Sequence, residues 1–324
     1  MTTKSILVTG AGGYLGRQVV NALAQRLADG ELACVVSADV RETPLEQRLP
    51  GVTYALSDVR KPGLGDLLAE HKVRTVVHLA SIVTPGKKSD REFEYSVDVE
   101  GTRNVLAACL AAGVGHIIVS SSGASYGYHA DNPAWLKETD PSRGNYEFAY
   151  SWHKRLVEEM LLEYRTRHPN LEQTVLRIGT ILGETVRNQI TDLWEKPRLV
   201  GIRGSDSPFV FIWDQDVVRI ILQAIATGKA GIYNVAGDGA LTIHDIARRL
   251  GKPVLLLPAG LVKVALGVLK PLGLSQYGPE QTKFLQYRPV LDNAKLKAEF
   301  GYTPAKTSSE VFDFWLAARR ARGG

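Results

Sequence analysis

Short apolar runs alternate with stretches of helical periodicity through the first half of the chain. Residues 5–9, 34–38, 52–56, 75–79 and 116–120 read as strands, with segments of helical length between them. Strands that are apolar on both faces and joined by helical crossovers predict an α/β fold, a doubly wound parallel sheet with helices on each side. Two of the expected helices, 92–112 and 145–168, stop at Gly113 and Pro169, residues that end helices.

From residue 173 to 182 a further strand is expected, and beyond it the regular alternation stops. Residues 209–212 and 231–235 read as strands, and Asp216 and Thr242 as N-caps of helices running to about Thr227 and Leu250. Thr307-Ser308-Ser309-Glu310 has capping-box spacing ahead of the apolar positions Val311, Phe312, Trp315 and Leu316. No repeat or low-complexity linker separates the halves. The expectation is one large sheet domain over 1–178, to which 213–250 returns, and a smaller, interleaved C-terminal domain built mainly from 179–212 and 251–324.

Residues 254–274 are strongly apolar. Pro258 and Pro271 bracket only about a dozen helical residues, short of the roughly 20 a bilayer requires, so no membrane span is expected. Lys263 and Lys270 share one helical face. An amphipathic helix packed on the protein is the expected form, with a lipid-facing lip or a wall of an apolar pocket as alternatives.

Composition adds little to this. The chain has 324 residues, 44% of them hydrophobic, enough for a large core. Met1-Thr2-Thr3-Lys4 leads straight into an apolar run with no signal-peptide pattern, so a cytoplasmic protein is expected. Cys34 and Cys109 fall in a strand and a helix, as small core hydrophobes would, and no histidine or cysteine pair has metal-ligand spacing. A net charge of +5 suits an anionic partner. The one dense basic cluster, Arg319-Arg320-Ala321-Arg322, reads as a solvated tail, and without interleaved aromatics no nucleic-acid partner is expected.

Chemistry enters with Thr9-Gly10-Ala11-Gly12-Gly13-Tyr14-Leu15-Gly16, which follows the first strand and opens a helix. A glycine turn in that position lets backbone approach a pyrophosphate, whose charge rests on unpaired helix N-terminal amides. The sheet is thereby of Rossmann type, with a dinucleotide-binding domain and a smaller substrate domain. Asp39, at the end of the second strand, can accept hydrogen bonds from ribose hydroxyls and would repel a ribose phosphate. NAD is the expected cofactor in preference to NADP, with Arg41 close enough to modify that preference.

Tyr150-Ser151-Trp152-His153-Lys154 places a phenol and an ammonium one helical turn apart. A neighbouring cation favours the ionised phenol, which makes Tyr150 a candidate acid/base. Tyr302 and Lys306 have the same spacing, but Pro304 and Gly301 argue against a helix there.

With these motifs in place the chain resembles the extended short-chain dehydrogenase/reductase family, which includes NAD-dependent epimerases and dehydratases and the 3β-hydroxysteroid dehydrogenase branch. The resemblance rests on Gly10, Gly13 and Gly16, Asp58-Val59, His78-Leu79-Ala80-Ser81, Gly101-Thr102-Arg103-Asn104 and Val119-Ser120-Ser121-Ser122-Gly123-Ala124-Ser125-Tyr126-Gly127. It continues through the Tyr150/Lys154 pair, Leu176-Arg177, Ile232-Tyr233-Asn234-Val235 and Gly301-Tyr302-Thr303-Pro304. It implies that Gly10, Gly12, Gly13, Tyr14, Leu15, Gly16, Asp39, Asp58, Val59, Leu79, Ala80 and Ser81 bind the cofactor. It further implies that Ser122, Tyr150 and Lys154 are catalytic, that Tyr150 and Lys154 also touch the cofactor, and that helices 92–112 and 145–168 form a homodimer bundle.

Several positions depart from that family. Asp98 stands where asparagine is usual, and Ile178-Gly179 follows Arg177 where many relatives have proline. Phe209 and Trp213 stand where sugar-nucleotide enzymes commonly carry an arginine for the diphosphate and a histidine. Phe209 and Trp213 are therefore the candidate substrate residues. They point to hydride transfer at a secondary alcohol or ketone of a hydrophobic substrate, steroid-like or acyl-derived. The alternative is a nucleotide-sugar epimerase or dehydratase with retained NAD, its diphosphate bound by Arg177, Arg187, Arg198 or Arg203. Gly123-Ala124 after Ser122 speak against a dehydratase, whose relatives carry an Asp-Glu pair there. A third reading is a non-catalytic dinucleotide sensor.

Overall fold

Seven parallel strands form the centre of the computed structural model, which describes residues 4–83, 90–272 and 278–323. The first part of the chain runs β1 (Lys4–Thr9), α1 (Tyr14–Ala28), β2 (Leu32–Asp39), β3 (Thr53–Leu56), α2 (Leu64–Glu70), β4 (Thr75–His78), α3 (Arg91–Tyr95), α4 (Gly101–Ala111), β5 (His116–Ser122), α5 (Ala149–Arg167) and β6 (Glu172–Ile178). The rest comprises β7 (Thr180–Leu182), α6 (Gln189–Glu195), β8 (Leu199–Ile202), β9 (Phe211–Trp213), α7 (Asp214–Thr227), β10 (Gly231–Val235), α8 (Ile243–Leu250), β11 (Val254–Leu257), α9 (Ala259–Leu269), α10 (Gln281–Gln286) and α11 (Ser308–Ala321).

The sheet order is β10-β6-β5-β4-β1-β2-β3. Strand direction never changes, but the winding reverses between β1 and β4, which opens a crevice at their carboxyl ends. Alternating side chains of one strand enter opposite layers. Ile6 and Val8 pack with α1 and α7, whereas Leu7 packs with α2, α4 and α5. Consecutive apolar residues at Ile6, Leu7 and Val8 of β1 are thus what a sheet covered on both faces requires.

The second half adds two small parallel pairs, β7 with β9 and β8 with β11. Between them Trp194, Phe209, Phe211, Phe312 and Trp315 form a buried aromatic cluster. The helix α7 and β10 join the large sheet layers, while α8 packs on β8 and β11.

Four local differences from the sequence expectations have physical causes. The run 173–182 breaks at Gly179, where the Gly179 N–H bonds Val235 O and the chain leaves β10 to pair with β9. The helix expected over 145–168 begins only at Ala149. Asn145 is diverted into a loop, its side chain accepting the Tyr128 N–H and its own N–H bonding Ser151 Oγ. Asp216 is no cap, since α7 already starts at Asp214; it is buried and accepts from Tyr302 Oη at 2.6 Å and from the Ala305 N–H. Those bonds hold Tyr302 outside any helix. The stretch between α3 and α4 is a π-helical turn, Ser96–Glu100, a geometry often found at functional sites. By contrast, Thr242 and Thr307 cap their helices with full capping boxes, as their spacing predicts.

Candidate active site

The glycine turn lies at the crevice between β1 and β4. Gly10 has φ +66°, and a Cβ there would come within 2.6 Å of Ala80 N. A Cβ on Gly16 would lie 2.2 Å from Gly10 O, so the first turn of α1 can sit against the loop only without a side chain. Gly13 occupies the N-cap of α1 with no side-chain cap, and no acid stands in the first turn. The amides of this helix end remain open to an anion. Tyr14 turns away from them and donates to Asp214 Oδ2 at 2.5 Å, while Leu15 packs against the core.

Asp39 is buried beside this loop. Its carboxylate accepts the N–H of Gly12 at 2.9 Å and of Arg41 at 3.0 Å, and Arg41 Nε lies 3.6 Å away on an exposed side chain. Asp58, farther along the same sheet edge, chelates Arg60, which holds its carboxyl below the usual range. Val59 is buried beneath it, its carbonyl held by Asn104 Nδ2 at 2.7 Å. Leu79 and Ala80 complete the wall opposite the glycines, the Leu79 N–H bonding Thr9 O, and half-buried Ser81 follows.

The three consecutive serines separate by role. Ser120 Oγ bonds His78 O, Ser121 Oγ bonds Glu158, and Ser122 alone lies near enough to the Tyr150 phenol to favour its ionised form. Ser122 Oγ also accepts the Ala124 N–H at 3.1 Å, which fixes its rotamer. On α5, Lys154 Nζ lies 5.5 Å from the Tyr150 ring centroid and donates to Ser120 O at 2.9 Å. Ser122, Tyr150 and Lys154 therefore converge. The expected ionisation does not. Burial raises the Tyr150 phenol, the Ser122 hydrogen bond only partly opposes it, and the Asp98 charge adds to the rise. Lys154, itself pushed down by burial against the pull of Asp98 and Glu158, does not offset this in the unliganded chain.

Asp98 sits on the π-helical turn beneath the pair. Its Oδ1 accepts the Ile82 N–H at 2.9 Å and its Oδ2 lies 3.3 Å from His153 Nδ1. Burial pushes this carboxyl up, but His153, the Lys154 charge and the Ile82 amide outweigh it and hold it below the ordinary range. Asp98 thus serves as a counter-charge to Lys154. His78 spans Thr9 Oγ1 and Thr102 Oγ1 behind the site, and burial followed by the Lys154 charge takes it down to about 3.

The expected substrate residues are placed otherwise. Phe209 is 2% exposed and belongs to the aromatic cluster, so it offers no apolar pocket surface. Trp213 lies with Phe314, Arg219 and Lys306 and lines a cavity with Tyr14 and Asp214. Among the suggested arginines, Arg177 is bound to Glu158 and Tyr126 in the core, and Arg198 and Arg203 flank the ends of β8, exposed.

Arg288 is the cation that sequence reasoning missed. Its guanidinium lies 3.6 Å above the Phe209 ring centroid and 4.6 Å from that of Phe284. One nitrogen donates to Ser207 Oγ at 3.0 Å, while Nε is buried with no partner among the described residues. Burial lowers its proton affinity to about 9, and only Tyr128 opposes that; no described carboxylate does. Tyr128, within electrostatic reach of both Arg288 and Tyr150, packs edge-on against Phe148 and Phe284. Its basic character was the one signal available in sequence.

Known proteins resemble the chain over half to nearly all of its length. A Mycobacterium tuberculosis protein of uncharacterized function is 25% identical over 98% of this chain and 84% of its own. A UDP-glucose 4-epimerase of Erwinia amylovora is 32% identical over 55% of this chain and 54% of its own. The Bordetella bronchiseptica enzyme WbmG, solved in complex with NAD and UDP, superposes with a TM-score of 0.75 over 99% of this chain and 96% of its own at 19% identity. Residues 6–236 match the NAD dependent epimerase/dehydratase family, and with the glycine turn, Ser122, Tyr150 and Lys154 gathered at one crevice, the chain belongs to that family of enzymes.

Proposed function

We propose that the chain reversibly oxidises a secondary alcohol of a diphosphate-bearing substrate, a nucleotide sugar, and acts as an epimerase that keeps its NAD through the cycle. Arg288 carries this reading. A guanidinium with a buried, unpartnered Nε and no paired carboxylate is stable when an anion completes its hydrogen bonds. The sequence expectation of an apolar substrate rested on Phe209 together with Trp213, Phe211 and residues 254–274; of these, Phe209 is instead the platform beneath this cation. The Erwinia epimerase and the UDP-bound WbmG support the same substrate class.

The residues fit a dinucleotide. The space kept free at Gly10 and Gly16 and the uncapped start of α1 suit a pyrophosphate. Asp39 suits the adenosine ribose, Asp58 and Val59 the adenine, and Leu79, Ala80 and Ser81 the path along the sheet edge. When bound, NAD supplies a hydride acceptor. Tyr150 takes and returns the hydroxyl proton, and Ser122, beside that phenol, holds the substrate oxygen. Lys154 reaches the nicotinamide ribose and contributes positive charge. Because burial keeps the free Tyr150 protonated, its base form requires cationic charge brought close to it. Gly123 and Ala124 carry no acid or base, which disfavours dehydration. In this reading residues 1–178 with most of 213–250 hold the cofactor, and 179–212 and 251–324 supply the substrate side. Two copies associate through α4 and α5, whose outer groove is lined by Tyr95, Leu156, Met160 and Tyr164.

A turnover screen on the purified chain tests the reading. UDP- and dTDP-sugars should be epimerised without added cofactor, and Tyr150→Phe should abolish the reaction. Turnover of hydroxysteroids or β-hydroxyacyl compounds alone, with NAD consumed, would establish the second reading, which the Tyr128, Phe148 and Phe284 rings favour.

A further inference from the structure

The helix α9 turns most of its apolar surface outward. Val262 is its one fully buried residue, and Leu266 and Leu269 are half-buried on the same side. Leu261, Val264, Val268 and Leu272 are 56%, 67%, 55% and 65% exposed. The expected amphipathic helix thus packs by a narrow edge and, among the described residues, leaves its broader apolar face uncovered; Leu274, the last residue of the expected segment, lies outside the described residues. In the β8/β11 pair, Val200 and Leu255 are cross-strand partners on one face and are both exposed.

The segments that carry these apolar residues are basic. Residues 196–204 and 251–272 contain Lys196, Arg198, Arg203, Lys252, Lys263 and Lys270, and no aspartate or glutamate. Lys263 and Lys270, seven residues apart, lie along one margin of the outward face. Only Lys270 is drawn to an acid, Glu280, at 3.1 Å. Eleven helical residues span about 16 Å, about half a hydrocarbon core, so α9 can lie in a membrane surface but not cross it. Among the described residues no helix is long and apolar enough to cross.

We propose that the outward face of α9 is a docking surface for a bilayer carrying anionic lipid, the apolar face entering the interface and the cations meeting the headgroups. This goes beyond the nucleotide-sugar reading and does not rest on it.

Co-sedimentation of the full chain with vesicles tests the surface. Partition should be about tenfold or more higher onto phosphatidylcholine mixed with phosphatidylglycerol than onto phosphatidylcholine alone, and should fall with salt. The double substitution Val264→Glu/Val268→Glu should reduce it by about tenfold or more, at an unchanged thermal midpoint because both positions are exposed. Lys263→Glu, which leaves the apolar face intact, should give a smaller loss and keeps the test valid if the double variant misfolds. Absence of binding, equal binding to neutral vesicles, or indifference to these substitutions overturns the proposal. So does self-association of the native chain that the double variant abolishes, since a second copy would then cover the face.

Discussion

The Arg288 guanidinium carbon lies 3.6 Å from the centroid of the Phe209 ring. A cation stacked on an aromatic face is held in place without being neutralised, because the ring supplies a quadrupole and no acceptor that would compete for the N–H groups. Phe209 is itself fixed by Trp194 and Phe211 in the aromatic cluster. In the proposed reading, Phe209 therefore does not remove positive charge from the site but supports positive charge delivered from a later segment of the chain.

Arg288→Met should separate binding from stability. The affinity for a nucleotide diphosphate should fall by about 1.5 to 3 kcal/mol, roughly ten- to a hundredfold, as charge-assisted hydrogen bonds are lost. The thermal midpoint should hold or rise, because an unpaired, partly buried charge is removed. Arg288→Lys should recover only part of the affinity, lacking the planar fork. Calorimetric titration with UDP beside thermal unfolding measures both, and unchanged UDP affinity in the methionine variant would sink the assignment.

Arg288 also marks where the sequence stops being legible. Its burial comes from Phe209 and Phe284, side chains that meet only in the folded chain, and in sequence it is one of 39 basic residues. The strands β1, β2, β4 and β5 were readable because each is buried within the sheet, which leaves apolar runs, and the edge strand β3 is more exposed. Gly10 and Gly16 were readable because contact with Ala80 and with the loop itself excludes any side chain. Tyr150 and Tyr302 share a spacing to lysine, and the proline that breaks the second told them apart. Asp216 misled because a buried carboxylate serving Tyr302 and Ala305 has the same residue type and flanks as a helix cap.

The Asp39 carboxylate should set the cofactor preference. It faces the glycine loop through the Gly12 N–H, with the exposed Arg41 side chain 3.6 Å away. Asp39→Asn keeps an acceptor for one amide but removes the charge that repels a ribose phosphate, leaving Arg41 unopposed. The NADP-to-NAD affinity ratio should rise by roughly tenfold or more, the value of about one charged hydrogen bond. Fluorescence titration with both reduced cofactors measures it; an unaltered ratio would mean that Asp39 does not meet the ribose.

Removing Glu158 should destabilise the fold far more than any surface acid. It binds Arg177 through two oxygens and accepts from Ser121 Oγ, and both charged side chains are almost fully buried. Glu158→Gln leaves the Arg177 charge in the core with Tyr126 as its remaining side-chain partner, at a cost of about 3 to 5 kcal/mol. Glu159→Gln, which loses an exposed i,i+4 pair with Arg155, should cost less than about 1 kcal/mol. Urea unfolding of the two variants gives the comparison, and similar losses would show that the buried pair is not the stronger support.

His78 should make the fold sensitive to acid. Its folded value lies near 3, because burial and then the Lys154 charge disfavour the imidazolium, whereas an unfolded histidine titrates near about 6.5. Between those values the unfolded chain holds the extra proton, so the stabilisation is complete above pH of about 6.5. It is lost as the pH falls, at up to about 1.4 kcal/mol per pH unit for one group. His116, lowered by burial to about 4, acts in the same direction. His78→Gln should be less stable than the native chain at pH 7, having lost the paired bonds to Thr9 and Thr102. Its unfolding free energy should nevertheless fall less steeply from pH 6 to pH 4.5, by up to one proton's worth of slope. Urea titrations of both proteins at several pH values read this difference directly. Parallel curves would mean that His78 takes up its proton equally in both states, which a neutral imidazole locked between two threonine hydroxyls does not allow.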